Sequence, residues 1–180
     1  MNTLVVNNSA KYGGGVYCYG ATDKAVLISN STIANNSATS SGSGLHLETA
    51  NGTLEIRNSI IALNTGKTDV YKKSTGRSIK AINTLSTYTA WTSGKNNLLF
   101  QSALPLFTDV STSDFTLAAS SQALDKGSTA SVISAFDLSG SARIVGGKVD
   151  LGAYERQADA SNAIIDKALA ELFIDEFETL

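Results

Sequence analysis

Asn30-Ser31-Thr32-Ile33-Ala34-Asn35-Asn36 and Asn58-Ser59-Ile60-Ile61-Ala62-Leu63-Asn64 are the same phrase written twice, 28 residues apart. The same step carries Asn8-Ser9-Ala10 onto Asn36-Ser37-Ala38. It also carries the opening Asn2-Thr3-Leu4-Val5-Val6-Asn7-Asn8 onto the stretch that begins at Asn30. Three copies of one period point to a repeat architecture before any single element is considered.

The stretches between the copies also match. Gly14-Gly15-Val16-Tyr17-Cys18-Tyr19 corresponds to the run Gly44-Leu45-His46-Leu47-Glu48 at a step of 29, so a corner absorbs one inserted residue. Val26-Leu27-Ile28-Ser29-Asn30 falls on Leu54-Glu55-Ile56-Arg57-Asn58 at 28 again. Each period therefore carries three short alternating runs. Strands this short cannot bury a face alone, but equivalent strands stacked about 4.8 Å apart pair their backbones with the copies above and below.

The expected fold is all-β: a right-handed parallel β-helix over residues 1–107, truncated at its N-terminal side, an irregular cap over 108–157 and an acidic amphipathic helix over 158–180. Alternation turns Val16 and Cys18, Leu45 and Leu47, Val26 and Ile28, Leu54 and Ile56, and Ile33 and Ile61 inward. Each such aliphatic contributes about 1.5–3 kcal/mol when fully buried. Asn30 over Asn58, and Asn8 over Asn36 over Asn64, place like amides one period apart, which predicts asparagine ladders. The competing reading of these asparagines is N-glycosylation, since Asn7, Asn30, Asn35 and Asn51 each open an Asn-x-Ser/Thr triplet. The period explains their spacing better. The chain opens in mid-period with nothing polar to cover the first copy, so further upstream coils of the same protein are expected.

Composition agrees with many short strands joined by polar corners. Of the 180 residues, 42% are hydrophobic and 17% charged, with one proline, Pro105. A net charge of −2 offers no positive field for phosphates, so nucleic acid is not an expected partner. No apolar run approaches the roughly 20 residues that cross a bilayer. One cysteine, Cys18, cannot form an internal disulfide, and one histidine, His46, cannot assemble the usual zinc cages, so no metal site is expected.

Beyond Asn64 the regular step is lost, although Asp69-Val70-Tyr71, Ser78 to Asn83 and Asn96 to Phe100 still read as strands with asparagine corners. Next come Pro105-Leu106-Phe107, Asp114-Phe115-Thr116-Leu117, Ala123-Leu124-Asp125-Lys126-Gly127, Asp137 to Arg143 and Val149-Asp150-Leu151-Gly152-Ala153-Tyr154-Glu155. From Asn58 to about residue 157 this order of segments resembles the C-terminal signature of bacterial β-helix surface proteins of the choice-of-anchor Q type, similar in style to polymorphic outer-membrane protein repeats. Two departures are visible: Ser120-Ser121-Gln122-Ala123 stands where that family has Gly-Ser-Pro-Ala, and Ser141-Ala142 where it has Asn-Pro. The resemblance implies export, a secreted or cell-surface setting and often a separate anchoring element, and no defined reaction.

Four residues form the candidate binding face. His46 points outward by alternation, beside Glu48 and beneath Tyr17 and Tyr19, where rings could stack on a sugar. The plainer reading of the same residues is a solvated strand face. In the cap, Asp125, Asp137, Arg143, Asp150 and Glu155 are the densest charged set, and Arg143 is placed to form a bidentate pair with one of the acids. The expected role of this set is a buried charge network, with a cation or ligand site as the alternative. Gly127, Gly140 and Gly152 read as tight turns, and Gly146-Gly147 as a turn without a phosphate-binding pattern. Ile165, Leu169, Leu172, Phe173 and Phe177 share one helical stripe.

The function expected from these features is a non-enzymatic surface module for adhesion, with glycans or cell-surface proteins as partners, no catalytic residue and no cofactor. The competing class is a polysaccharide lyase or hydrolase of the β-helix type, which would bring in calcium. It would require converging acids, whereas Asp23, Glu48, Glu55 and Asp69 sit at different corners with Lys24 and Arg57 nearby.

Overall fold

The computed structural model describes residues 1–19, 26–48, 53–73 and 78–157; the segment expected as an amphipathic helix lies outside them. The described chain is all-β, with two single-turn 3-10 helices at Val110–Thr112 and Thr129–Ser131.

Three parallel sheets carry the repeat. In the longest, Leu4–Val6, Thr32–Ala34, Thr53–Ala62 and Ser78–Ser86 stack in order, and Val26–Ser29 pairs with the first half of Thr53–Ala62. Leu4 faces Thr32 and Thr32 faces Ile60, so the 28-residue step read from the sequence is the strand register itself. The second sheet stacks Val16–Cys18, Leu45–Leu47 and Val70–Lys72. The third stacks Ser9–Tyr12, Ser37–Ser41 and Thr65–Gly66. This third sheet, with strand sequences SAKY, SATSS and TG, has no apolar alternation.

Asparagine makes the corners because it tolerates the left-handed backbone conformation. Asn30, Asn58 and Asn83 have φ of 49°, 45° and 49° at equivalent positions. Asn58 lies inside one continuous strand, and its left-handed turn shifts the alternation by one residue. Leu54, Ile56 and Ile61 therefore share one face, while Ile60 and Ala62 occupy the other.

Both faces are buried, in two separate cores. The inner one joins Ile33, Leu45, Leu47, Leu54, Ile56, Ile61, Val70 and Ile79, with Val16, Cys18 and Ile28 partly buried against it. Every position expected inside is here except Val26, which is exposed, and Val70 and Ile79 join them. Tyr88 and Trp91, edge to face at 4.7 Å, also pack on this cluster.

The outer core is built by the segment expected as the irregular cap, together with Leu106 and Phe107. Leu106, Phe107, Phe115, Leu117, Ala123 and Leu151 cover Ala34, Ile60, Ala62 and Leu85 on the outside of the long sheet. The segment runs along the flank past successive corner asparagines. Asn83 donates to Lys126 O at 2.8 Å, Asn58 exchanges two bonds with the Ser128 backbone, and Asn2 donates to Phe136 O at 2.7 Å.

The glycine corners leave no room for a side chain. A Cβ on Gly14 would lie 2.6 Å from Ser43 O and would also meet the Ser37 carbonyl, both backbone atoms of the next copy. Gly14→Ala should lower the unfolding free energy by about 3 kcal/mol, at the upper end of overpacking costs, as read from urea midpoints. A loss near that of an exposed substitution, about 0.5 kcal/mol, would show that the corner yields.

Candidate binding face

Tyr17, His46 and Tyr71 are register mates on three neighbouring strands of the second sheet, pointing away from the inner core. Ring centroids are 5.0 Å apart for Tyr17 and His46 and 4.6 Å for His46 and Tyr71. Tyr12 from the third sheet meets the imidazole edge-on at 5.4 Å, and Tyr19 lies parallel to Tyr17 at 6.4 Å. The face thus brings together all four residues singled out in the sequence, Tyr17, Tyr19, His46 and Glu48, and adds Tyr12, Tyr71 and Lys73. Tyr71 was legible once the register of Asp69-Val70-Tyr71 was fixed; Tyr12 was not, because its strand carries no apolar pattern.

One expectation changes. His46 points outward, but its neighbours cover it to 3% exposure, so it is a spacer inside the aromatic column and not a solvated contact residue. Its Nδ1 lies 3.2 Å from Ser41 Oγ, and Nε2 is 3.9 Å from Glu48. The open surface belongs to Tyr12, Tyr17, Tyr19 and Tyr71, with Tyr19 the most exposed at 78%.

Glu48 ties the rim together. It accepts from the Tyr17 hydroxyl and pairs with Lys73 Nζ at 3.0 Å. These two bonds hold its carboxyl below the ordinary range, while Glu48 raises Lys73 and pushes the Tyr17 phenol up to about 12. The rim is therefore charged, with donors and acceptors side by side, across the neutral pH range.

The two predicted asparagine ladders separate. Asn36 Oδ1 accepts from Asn8 Nδ2 at 3.0 Å, and Asn36 Nδ2 donates to Asn64 Oδ1 at 2.9 Å, so the Asn8–Asn36–Asn64 ladder is present. Asn30 and Asn58 do not bond to each other. Asn58 is taken by Ser128, and Asn30 turns its oxygen to Arg143, accepting from Nη2 at 2.8 Å and Nε at 3.1 Å. Both side chains serve the flanking segment instead of the stack.

Arg143 is completely buried, yet it forms no bidentate pair with an acid. Nη2 donates to the carbonyls of Gly152 at 2.7 Å and Asp150 at 3.0 Å, while Glu155 Oε2 stands 4.0 Å from Nε. The acids instead bind backbone N–H groups. Asp150 accepts from Asp125 N and Arg156 N, Glu155 from Asp150 N, and Asp137 from Glu155 N, Ser139 N and Ser141 N. Asp125 itself is solvent-facing and pairs with exposed Lys148 at 3.3 Å. The set knots the flank segment.

Of the scattered acids of the repeat, Asp23 lies outside the described residues, and Glu48, Glu55 and Asp69 do not converge. Glu55 pairs with Arg57 and Lys80, both at 2.8 Å, and Asp69 takes the Thr87 hydroxyl. Among the described residues no group of three or more His, Cys, Asp or Glu is placed to hold a metal ion, and no helix is long and apolar enough to cross a membrane. No family model, curated protein or solved structure matches the chain.

Proposed function

We propose that this chain is a right-handed parallel β-helix module, non-enzymatic and exposed at a bacterial cell surface or secreted, whose tyrosine face binds glycans. The observation that carries the reading is the placement of Tyr17, His46 and Tyr71 in register, with Tyr12 and Tyr19 on either side. The parallel strands at a 28-residue step, the inner core and the Asn8–Asn36–Asn64 ladder support the β-helix. The resemblance to choice-of-anchor Q surface proteins supports the setting.

Rigid tyrosines suit this task because they offer a flat apolar face at small entropic cost and a hydroxyl at the rim. A pyranose has an apolar C–H face and a hydroxyl periphery. Tyr19 presents the open ring, and the Glu48–Lys73 pair offers an acceptor and a donor to sugar hydroxyls. Parallel strands set Tyr17 and Tyr71 on either side of His46 along the stack, which favours an extended polymer over a single sugar.

A glycan array tests the reading. Binding to at least one polysaccharide class is expected, weakened about tenfold by Tyr19→Ala, which is the loss of one good aromatic contact. Absence of binding, or binding indifferent to Tyr19→Ala and Tyr71→Ala, would sink the glycan face. A calcium-dependent rise in ultraviolet absorbance with polyuronates would replace it with a lyase.

A further inference from the structure

Between the corner at residues 64–69 and the turn that follows Ser78–Ser86 lies a groove apart from the tyrosine face. One cavity of about 350 Å³ is lined by Lys67, Thr68, Asp69, Thr87 and Tyr88, with Asn64 and Gly66. A second, of about 210 Å³, has Tyr88, Trp91 and Leu99 in its wall. Tyr88 lines both, so the two adjoin. None of Tyr12, Tyr17, Tyr19 and Tyr71 lines either.

The walls are held by bonds of the fold itself. The turn at 87–92 is pinned at both ends: Tyr88 N donates to Ser86 Oγ at 3.1 Å, Thr92 N to Ile79 O at 2.9 Å and Ile79 N to Thr92 Oγ1 at 3.0 Å. Opposite, Thr68 O accepts from Ser43 N and Ser43 Oγ, both at 2.8 Å, and Asp69 O accepts from Gly44 N and Leu45 N, both at 2.9 Å. The rings of Tyr88 and Trp91 are steadied edge to face against the inner core. A groove set in this way has little left to order when a ligand enters.

Its polar wall is incompletely paired. Asp69 Oδ2 accepts from the Thr87 hydroxyl, but Oδ1 is buried with no hydrogen-bond partner among the described residues. Asn64 lies beside the carboxyl with both Nδ2 hydrogens engaged, by Ile33 O at 3.1 Å and Ala62 O at 3.2 Å. Burial raises the carboxyl above its ordinary value, opposed by Thr87 and Asn64. An idle buried acceptor is costly, and one further donor would relieve it. Lys67, also in the wall, is exposed and forms no salt bridge among the described residues.

We propose that this groove is a second ligand site, built for a neutral sugar. A ring hydroxyl donates to the Asp69 carboxyl, which is half-buried and needs only a turn about χ2 to bring its idle oxygen to the cavity. Lys67 donates to a second sugar oxygen, and the apolar face of the ring lies along Tyr88 and Trp91. Other ligand classes fit less well. An anion would meet Asp69, a divalent cation would find a single carboxylate beside an ammonium, and an apolar ligand would leave Oδ1 unpaired.

Trp91 is the one tryptophan of the chain, so its emission reports this groove and not the tyrosine face. The full chain is titrated with the methyl glycosides of glucose, galactose and mannose and with N-acetylglucosamine. At least one should change Trp91 emission saturably. Asp69→Asn, which keeps the shape and removes the charge, should weaken that response about tenfold, the worth of one charge-assisted hydrogen bond. Should that variant not fold, Lys67→Ala, a change at an exposed side chain, should weaken the same response. No saturable change with any of the four sugars overturns the inference, and so does a change that neither variant weakens. A response to choline chloride alone overturns it in favour of an ammonium ligand. Glycan-array binding that is lost with Tyr19→Ala while Trp91 emission stays unmoved would support the tyrosine face and overturn this site alone.

Discussion

Asn36→Asp, a change of one amide for one carboxyl, should lower the unfolding free energy at pH 7 by about 3–5 kcal/mol, the cost of an uncompensated buried charge. Asn36 is fully buried at the centre of its ladder. Its Nδ2 faces three acceptors: Val5 O and Asn64 Oδ1 at 2.9 Å and Ala34 O at 3.1 Å. Its Oδ1 accepts from Asn8 N at 3.1 Å and Asn8 Nδ2 at 3.0 Å. Aspartate keeps the second role and inverts the first, setting a negative oxygen against three others.

The loss should depend on pH. The introduced carboxyl would have its folded-state pKa raised above its unfolded value, so its destabilisation is absent at low pH and grows as pH rises through the folded value. Urea midpoints of Asn36→Asp at pH 4 and pH 7 should diverge far more than those of the parent chain. Asn36→Ala should cost less, about 2–3 kcal/mol and without the divergence, since it orphans backbone groups but buries no charge. Equal and small losses for both variants would mean that the ladder contributes nothing beyond shape.

Arg143→Met should cost a further large amount, about 3–5 kcal/mol, through the knot that pins the flank segment. The guanidinium is the common donor to Asn30, Asp150 O and Gly152 O, and methionine fills the space while leaving all three acceptors unpaired. The same knot predicts how stability of the parent chain varies with pH. Burial, opposed by the Asp150 N–H bond and Arg143, raises Glu155 from 4.5 to about 7, and burial raises Asp150 as well. The folded protein therefore holds a proton that the unfolded chain releases near 4.5.

Stability from this group is fully present below about pH 4.5 and is lost as pH climbs through 7. At about 1.4 kcal/mol per pH unit the loss amounts to roughly 3 kcal/mol. Glu155→Gln should flatten that slope and make the variant the more stable form at pH 8, measured by urea unfolding across pH 5–8. Arg143→Met should steepen it, because the nearest positive charge to Glu155 has gone. A parent chain whose stability is level from pH 5 to 8 would show that Glu155 is already solvated in the fold.

Much of this was legible in the chain, for a simple reason. In stacked strands the distance between partners is the period, so the offset from Asn30 to Asn58 predicts that Thr32 faces Ile60 and Val26 faces Leu54. Alternation within a strand sorted Leu45 and Leu47 from His46. The Asn8–Asn36–Asn64 ladder followed from both rules together. Where prediction failed, a second layer had intervened. Asn30 and Asn58 are as periodic as Asn36, yet their amides face outward and are taken by Arg143 and Ser128.

His46 belongs with these failures. Alternation places it on the outer face, but exposure there depends on what flanks it, and Tyr12 arrives from another sheet while Tyr71 arrives from a copy with an irregular step. For a related reason Phe107, Phe115 and Leu151 announce burial without naming the surface that receives them. The sequence by itself determined the period, the register and the inward-facing residues, because those rest on neighbours at a fixed separation along the chain. Only the tertiary structure decided which outer faces are covered and whether an amide bonds along the stack or across it. Those choices depend on contacts between segments whose separation in sequence carries no periodic mark.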